Sequence, residues 1–322
     1  MVGHYVLHGV SLKIASESAL LLGPVRSVLR SRPESLPDGA FTLRLRYGRS
    51  EPSRLLRAAE FKLFWEGTLP DGSLCAYYST GGQRIAHLSG RGWGRLNLDE
   101  RTMDVVCAPG QEGSLYDGCF VPLLCELLAH HGQFVVHAAS LATEGPDGPL
   151  GVLLAGPSGA GKTTTALALA RAGMILLTDD ASFVESAGAV HLRGWRLPCK
   201  VHDRTARMLP WLRNCPGGPA RTERERLVDV TNVVRAPDDV VAIPRLILLL
   251  GPRIGGPHRW EAVGKVEALA QLTRENVRAY EHRAAGRAFQ TLGELVSQCD
   301  VYRLRVGTPL ESLAEQILGL LR

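Results

Sequence analysis

One short segment limits the folds and functions open to this chain more than any other feature. Residues 156–163 read GPSGAGKT and match the pattern G-x-x-x-x-G-K-[ST] in full. Such a loop wraps phosphates with successive backbone N–H groups, so it needs small residues, and the following helix N-terminus adds partial positive charge. The strand and the helix that this pattern requires are predicted on either side of it, over 150–155 and 163–171.

The loop predicts that ATP and Mg²⁺ bind here. The Lys162 ammonium would reach the outer phosphates, and the Thr163 hydroxyl would hold the magnesium. We therefore predict that the nucleotide is bound by the loop and the residue after it, namely Gly156, Ser158, Gly159, Ala160, Gly161, Lys162, Thr163 and Thr164.

Two adjacent aspartates, Asp179 and Asp180, follow the predicted strand Met174–Thr178. The connection from the strand before the loop contains a helix, so the two strands should run parallel and end at the same edge of a sheet. Both carboxylates are then expected beside the loop. One can coordinate the magnesium, and a transferase needs a second to accept the proton of the attacking hydroxyl.

His137 is predicted to lie next to the loop. The strands over 134–142 and 150–155 are joined by seven residues, which is too few for a parallel crossover, so they should pair antiparallel. A symmetric connection places His137 opposite Ala155. That position favours contact with phosphates or proton handling over a core histidine, whereas a register shift of one residue would turn the side chain to the other face.

A further candidate segment for contact with the phosphate or the substrate lies about 20 residues beyond the aspartates. The segment GWRLPCKV, residues 194–201, contains Arg196 and Lys200, and the whole chain has few lysines. We predict that Arg196 and Lys200 contact the phosphate or the substrate. A surface salt bridge is the alternative role for Lys200.

The pattern of predicted strands and helices changes near residue 132. Before it, short alternating stretches separated by turn residues indicate strands, such as Tyr5–Ile14, with helices expected over Arg54–Phe64 and Cys119–His131. After it, apolar strands, Gly-rich turns and helices alternate. We predict a mixed α/β protein with a β-rich N-terminal domain at 1–132, for substrate recognition or oligomerisation, and a catalytic domain at 133–322.

Composition excludes several classes of protein. The net charge is +5, but the densest basic cluster, RTERER at 221–226, alternates with glutamate, so no nucleic-acid partner is predicted. The seven cysteines include no C-x-x-C pair, which favours reduced thiols in a cytoplasmic protein. No signal sequence is recognised and the longest apolar runs are too short to cross a bilayer, so no membrane association is expected.

The residues HAASLA (137–142), GPSGAGKTTTALALARAG (156–173) and LLTDD (176–180) together resemble the HPr kinase/phosphorylase family and its kinase-like relatives. In that family a His-bearing strand precedes the phosphate loop, and two aspartates end the strand after the helix. The resemblance covers about 133–322 and is most specific over 134–180. It implies a core like that of phosphoenolpyruvate carboxykinase, with a mixed sheet flanked by helices.

The resemblance also implies a role for each matching residue. His137 would contact the phosphates, and Lys162 and Thr163 would bind phosphate and magnesium. Asp179 would be the base that activates a serine hydroxyl, and Asp180 would assist at the metal. The downstream glycine-rich signature linked to HPr docking is not found, and residues 1–132 do not resemble the usual N-terminal domain of HPr kinases. The chain is more similar to the HPr-kinase-related proteins of bacterial peptide-modification clusters, including kinases of lasso-peptide precursors.

The sequence thus predicts a Mg-ATP-dependent serine kinase that acts on a peptide or protein. Assembly of the chain into a homo-oligomer is compatible with this prediction. Three alternatives stay open at this point. The first is a small-molecule kinase acting on a compound such as free serine, and the second is an ATPase. The third is a nucleotide-gated binding or assembly module that transfers no phosphate.

Overall fold

The computed structural model describes residues 1–26, 29, 37, 39–58, 60–69, 72–186, 188–195, 198–222, 225–237, 240–276 and 282–321. The chain forms two compact units. The first is built on Met1–His131 and the second begins at Gly132. Both contain helices and mixed sheets, so the protein is of the predicted mixed α/β class.

The first unit is dominated by a sheet that has eight strands within the described residues. Its elements in chain order are β1 (Val2–Leu7), β2 (Val10–Ser16), α1 (Ala19–Arg26), β3 (Phe41–Tyr47), α2 (Ser53–Ala58), β4 (Lys62–Thr68), β5 (Leu74–Thr80), β6 (Gln83–Leu88), β7 (Gly92–Asn97), β8 (Thr102–Cys107), α3 (Glu112–Leu115), a π-helical turn (Tyr116–Phe120) and α4 (Val121–His130). Strands β4 to β8 form an antiparallel meander, and β8, β3 and β2 are parallel neighbours.

Two predictions for this unit were wrong. The single strand expected over Tyr5–Ile14 is a hairpin of β1 and β2, because His8 and Gly9 both have positive φ and reverse the chain. The helix expected over Arg54–Phe64 ends at Ala58. Residues from Lys62 onward form strand β4, where the Trp65 ring stacks on Tyr77 of β5 at a centroid distance of 4.9 Å, a cross-strand contact that local helical spacing does not reveal.

The second unit contains residues 156–163, which are called the phosphate loop below after their predicted role. Its elements in chain order are β9 (Gln133–Val136), β10 (Ala138–Thr143), β11 (Leu150–Ala155), α5 (Lys162–Arg171), β12 (Ile175–Thr178), β13 (Ser182–Ser186), β14 (Val190–Arg193), β15 (Cys199–His202), α6 (Asp203–Met208), a 3-10 turn (Pro210–Asn214), β16 (Gly217–Thr222), β17 (Glu225–Val228), β18 (Val241–Leu250), β19 (Arg259–Ala262), α7 (Lys265–Asn276), α8 (His282–Gln298), β20 (Asp300–Arg305) and α9 (Glu311–Leu320).

The main sheet of this unit is mixed. Its order is β12-β10-β11-β18-β14-β13-β9, with β20 and β19 beside the end of β18. Strand β10 lies between β11 and β12 and is antiparallel to both, so β11 and β12 run parallel without being neighbours. Strands β11, β18 and β20 are parallel to one another. Strands β15, β17 and β16 form a separate small sheet.

Helices cover both faces of the main sheet. On one face, Leu154 of β11 belongs to a buried cluster with Leu167 of α5 and Ile317 of α9. The preceding residue of the strand, Leu153, belongs to a second cluster with Leu295 of α8 and with side chains of α7. This alternation follows the two-residue period of a strand that is buried on both faces.

The predicted register of β10 was wrong by one residue. Ala138, and not His137, faces Ala155, because the connection from Thr143 to Leu150 is shorter than a symmetric seven-residue loop. The strand expected over 134–142 is also interrupted. It divides into β9, which pairs with β13, and β10, and His137 is the residue between the two strands.

Two general predictions concern the whole chain. All seven cysteines, which lie within the described ranges, are free thiols, and six of them are buried. In the part of the chain that the structure describes, no helix is long and apolar enough to cross a membrane.

Candidate functional site

The loop edge of the main sheet in the second unit collects most of the predicted site residues. The parallel strands β11, β12 and β18 all end there, and the antiparallel strand β10 begins there. The phosphate loop follows β11, the two aspartates follow β12, and His137 directly precedes β10. Residues from three separate stretches of sequence therefore meet because of strand direction alone.

Two glycines of the loop are required by its backbone. Gly156 has a φ of 149°, and a Cβ atom there would lie 2.9 Å from the carbonyl oxygen of Leu250. Gly161 has a φ of 96° and is the N-cap of α5, with its carbonyl accepting the Thr165 amide at 2.9 Å. Side chains are strained in this region of φ, so the loop conformation depends on glycine at both positions.

Lys162 is buried, and its ammonium is held inside the loop. Its Nζ atom donates to the carbonyl oxygen of Gly156 at 2.7 Å and lies 3.2 Å from Nε2 of His137. Burial lowers the pKa of Lys162, while the charges of Asp180 and Glu275 oppose that shift. The lysine therefore lies between the loop carbonyls and a group of side chains from outside the loop.

His137 links this lysine to Asp180. Its Nδ1 atom lies 2.9 Å from Oδ1 of Asp180, and Lys200 Nζ lies 2.7 Å from Oδ2 of the same carboxylate. Burial alone would raise the pKa of Asp180, but the hydrogen bond from His137 and the charge of Lys200 bring it well below its usual range. Because an ammonium is only a donor, the contacts fit an imidazole that carries its proton on Nδ1 and accepts at Nε2.

Asp179 has a different environment from its neighbour. It is only 4% exposed, and its carboxylate accepts hydrogen bonds from the Thr163 side chain and the Lys200 backbone. Burial, and then the charge of Asp180, raise the pKa of Asp179 from 3.8 to about 7, against the charge of Lys200 and the hydrogen bond from Thr163. Within the described residues, its Oδ2 atom has no hydrogen-bond partner.

The residues present fit a magnesium ion beside Thr163. A buried carboxylate oxygen without a partner and a loop hydroxyl that already touches the same carboxylate make a hard-oxygen donor pair of the kind Mg²⁺ prefers. The described residues contain no group of three or more His, Cys, Asp or Glu suited to a metal. A larger group is not required, because Mg²⁺ takes most of its ligands from phosphates and water.

The other predicted residues occupy varied positions. Ser158 and Gly159 lie on the exposed outer part of the loop, and Ala160 is half-buried against the core. The Thr164 hydroxyl lies 2.8 Å from the Thr205 hydroxyl of α6, so the group of Thr164 that a ligand could still use is its backbone amide in the first turn of α5. Arg196 lies outside the described residues.

Sequence reasoning missed two residues at the end of α7. Asn276 Oδ1 accepts the backbone N–H of His137 at 2.6 Å. Glu275 is close enough to affect Lys162, and within the described ranges its Oε2 atom is buried without a hydrogen-bond partner. No local sequence pattern marks either residue as part of the site. An Asn at the end of a helical stretch is typical of a helix cap, and a Glu in the last turn of a helix has no motif around it.

Arg253 was missed as well. It lies in the loop after β18, at the same edge of the sheet as the phosphate loop, and it is half-buried. Its Nη1 atom lies 3.4 Å from the Met208 sulfur, and burial together with the charge of Arg204 lowers its pKa. Within the described residues no carboxylate pairs with it, an arrangement that favours the arrival of an anion.

Comparison of the chain with models of known protein families gives no match, and comparison with curated proteins gives none either.

Proposed function

We propose that this protein is a magnesium- and ATP-dependent kinase that transfers the γ-phosphoryl group of ATP to a serine hydroxyl of a peptide or protein. Its catalytic core would be of the HPr kinase and phosphoenolpyruvate carboxykinase type. One observation carries the proposal. At one sheet edge, the lysine of a phosphate loop meets a histidine and two aspartates whose environments differ sharply.

The two aspartates would have separate tasks. The resemblance assigns the base to Asp179 and the metal to Asp180, but the contacts favour Asp179 at the metal and Asp180 as the partner of His137. Asp179 is nearly inaccessible and hydrogen-bonded to Thr163, so we assign Asp179 and Thr163 to holding magnesium. When bound, magnesium would neutralise charge on the phosphate oxygens.

His137 and Asp180 would handle the proton. The His137 side chain is half-exposed, so an acceptor hydroxyl can approach it, and Asp180 orients the ring through Nδ1. In the transfer step, the serine oxygen forms a bond to the γ-phosphorus while the bond to the bridging oxygen of ADP breaks, and ADP leaves with that electron pair. With the Lys162 ammonium drawn onto the phosphates of bound ATP, Nε2 of His137 would be released from its present contact with that lysine and would accept the serine proton, while Asp180 would balance the resulting positive charge.

Lys162 and Arg253 would neutralise negative charge on the phosphates. Such transfer depends mainly on positioning and electrostatic stabilisation, and Lys162 already lies within the loop. We expect Arg253→Gln to slow transfer by roughly a hundredfold or more while ATP binding changes less. Arg259→Gln, at an exposed position of β19, serves as the matched control in the same kinetic assay.

The direct experiment is incubation of the protein with Mg-ATP and serine-containing candidate peptides, followed by mass spectrometry. A phosphate-sized mass gain on serine supports the proposal. Phosphorylation of free serine alone would favour a small-molecule kinase, and phosphate release without an acceptor would favour an ATPase. ATP binding that changes a partner interaction without any transfer would favour a nucleotide-gated module and refute the kinase.

Two substitutions separate the assigned roles. Asp179→Asn is expected to weaken the magnesium dependence of ATP binding, because it removes a charged ligand. His137→Gln is expected to keep magnesium-dependent ATP binding and lose transfer. If Asp179→Asn binds Mg-ATP normally and only transfer is lost, Asp179 is the base and our assignment of the two carboxylates is wrong.

A further inference from the structure

The break between β9 and β10 puts His137 outside the regular ladder of the sheet. Val136 pairs with Ser182 in one part of the sheet, and Ala138 pairs with Ala155 in another. His137, between them, has no strand partner. Its backbone N–H is exposed and has no acceptor in either ladder, so it can bond to an acceptor from another element.

Asn276 supplies that acceptor from 139 residues away in the sequence. Its Oδ1 atom accepts the His137 N–H at 2.6 Å. The amide group of Asn276 is itself oriented, because its Nδ2 atom donates to the Leu272 carbonyl oxygen at 2.8 Å. Leu272 and Ala268 anchor α7 in the core. The acceptor oxygen is thus held by a helix that is packed on the sheet.

The backbone of His137 determines where its ring can reach. The ring lies between Lys162 and Asp180, at 3.2 Å and 2.9 Å, and it makes both contacts from the residue at which the chain leaves β9 and has not yet entered β10. In a regular strand, the observed register shift of one residue would have turned the His137 side chain to the opposite face of the sheet.

We propose that Asn276 is a positioning residue for His137, holding the strand break that aims the imidazole at Lys162 and Asp180. Asn276 acts through the backbone of His137 and takes no part in chemistry. The functional side of this inference rests on the proposed kinase activity, whereas its structural side does not. A test therefore needs one readout of each kind.

The test compares Asn276→Leu, which removes the acceptor at similar size, with Asn276→Asp, which keeps an acceptor oxygen at the same position. Arg274→Gln is the control, because Arg274 is exposed on the same turn of α7. Circular dichroism and thermal unfolding check that each variant folds. All measurements are made on the full chain.

The structural readout is the ¹⁵N–¹H spectrum of the imidazoles, with the His137 signals assigned by their loss in His137→Gln. We expect the Nδ1–H pattern of His137 in the wild type, Asn276→Asp and Arg274→Gln, and its loss in Asn276→Leu. The kinetic readout is expected to show kcat reduced roughly tenfold to a hundredfold in Asn276→Leu, with KM for ATP within about twofold and partial recovery in Asn276→Asp.

Two results would overturn the inference. One is an unchanged His137 spectrum in folded Asn276→Leu, and the other is an equal loss in Asn276→Leu and Asn276→Asp. If no phosphoacceptor is ever found, the proposed function fails, but the imidazole spectra still decide whether Asn276 positions His137.

Discussion

Asp179→Asn should make the metal-free protein more stable above neutral pH. The pKa of this carboxyl is raised from 3.8 to about 7 in the folded protein, chiefly by burial and then by the charge of Asp180. Below pH of about 4 it is protonated in both the folded and the unfolded states, so it contributes nothing. Between about 4 and about 7 the unfolded chain releases its proton first, and the free energy of unfolding falls as pH rises.

The magnitude follows from the two pKa values. The difference between 3.8 and about 7 corresponds to about 4 kcal/mol lost by pH 8, which is a ceiling for this site. Asparagine fills the same space, keeps an acceptor oxygen and has no charge to desolvate. We therefore expect the free energies of unfolding of variant and wild type to diverge from about pH 4 and to differ by up to about 4 kcal/mol at pH 8.

The assay is denaturant unfolding at a series of pH values with a chelator present. Asp147→Asn, the same change at an exposed position, is the control and should follow the wild type. Adding Mg²⁺ at pH 8 should stabilise the wild type more than Asp179→Asn, since the metal offsets the buried charge. Parallel pH curves for wild type and Asp179→Asn would refute the reasoning, because they would show that the carboxyl is not desolvated in the folded state.

Three further predictions test neighbouring features. Lys162→Ala should weaken ATP binding at least about tenfold, measured by calorimetric titration, because the substitution removes the buried ammonium that would contact the phosphates. Unchanged affinity would contradict the prediction that this loop binds ATP. Glu275→Gln should tighten ATP binding roughly threefold to tenfold in the same titration, since it removes a negative charge close to that lysine; weaker binding would show that Glu275 aids the site. Gly194→Ala should lower the free energy of unfolding by roughly 2–3 kcal/mol, because its Cβ would lie 2.2 Å from the Leu177 carbonyl oxygen, whereas Gly286→Ala, in open space on a helix, should raise it by up to about 1 kcal/mol in the same unfolding assay.

The placement of His137 shows how far sequence reasoning reached. Antiparallel pairing of its strand with β11 was predicted from the short connection and is confirmed. The register was wrong by one residue, and yet His137 lies beside Lys162. The residue that explains this, Asn276, comes from a helix that packs there only in the folded chain. No local pattern links positions 139 residues apart.

Asp179 and Asp180 also show which properties of the site could not be predicted from the sequence. Their position after a strand placed both of them at the loop edge. The chain bends directly after β12, and at that bend Asp179 is buried against Thr163 while Asp180 faces His137 and Lys200. Their opposite pKa shifts depend on desolvation and on charges from other segments, and those quantities exist only in the folded protein.

The sequence by itself determined the phosphate loop, because small residues and glycines with positive φ are demands of the local backbone, and it determined the mixed α/β class, because hydrophobic periods are local too. Tertiary structure alone decided which groups surround Lys162. Hydrogen bonds and electrostatic interactions depend on distance in space, and the fold brings to that lysine a histidine from a strand break, an aspartate from the bend after β12 and a glutamate from the end of α7.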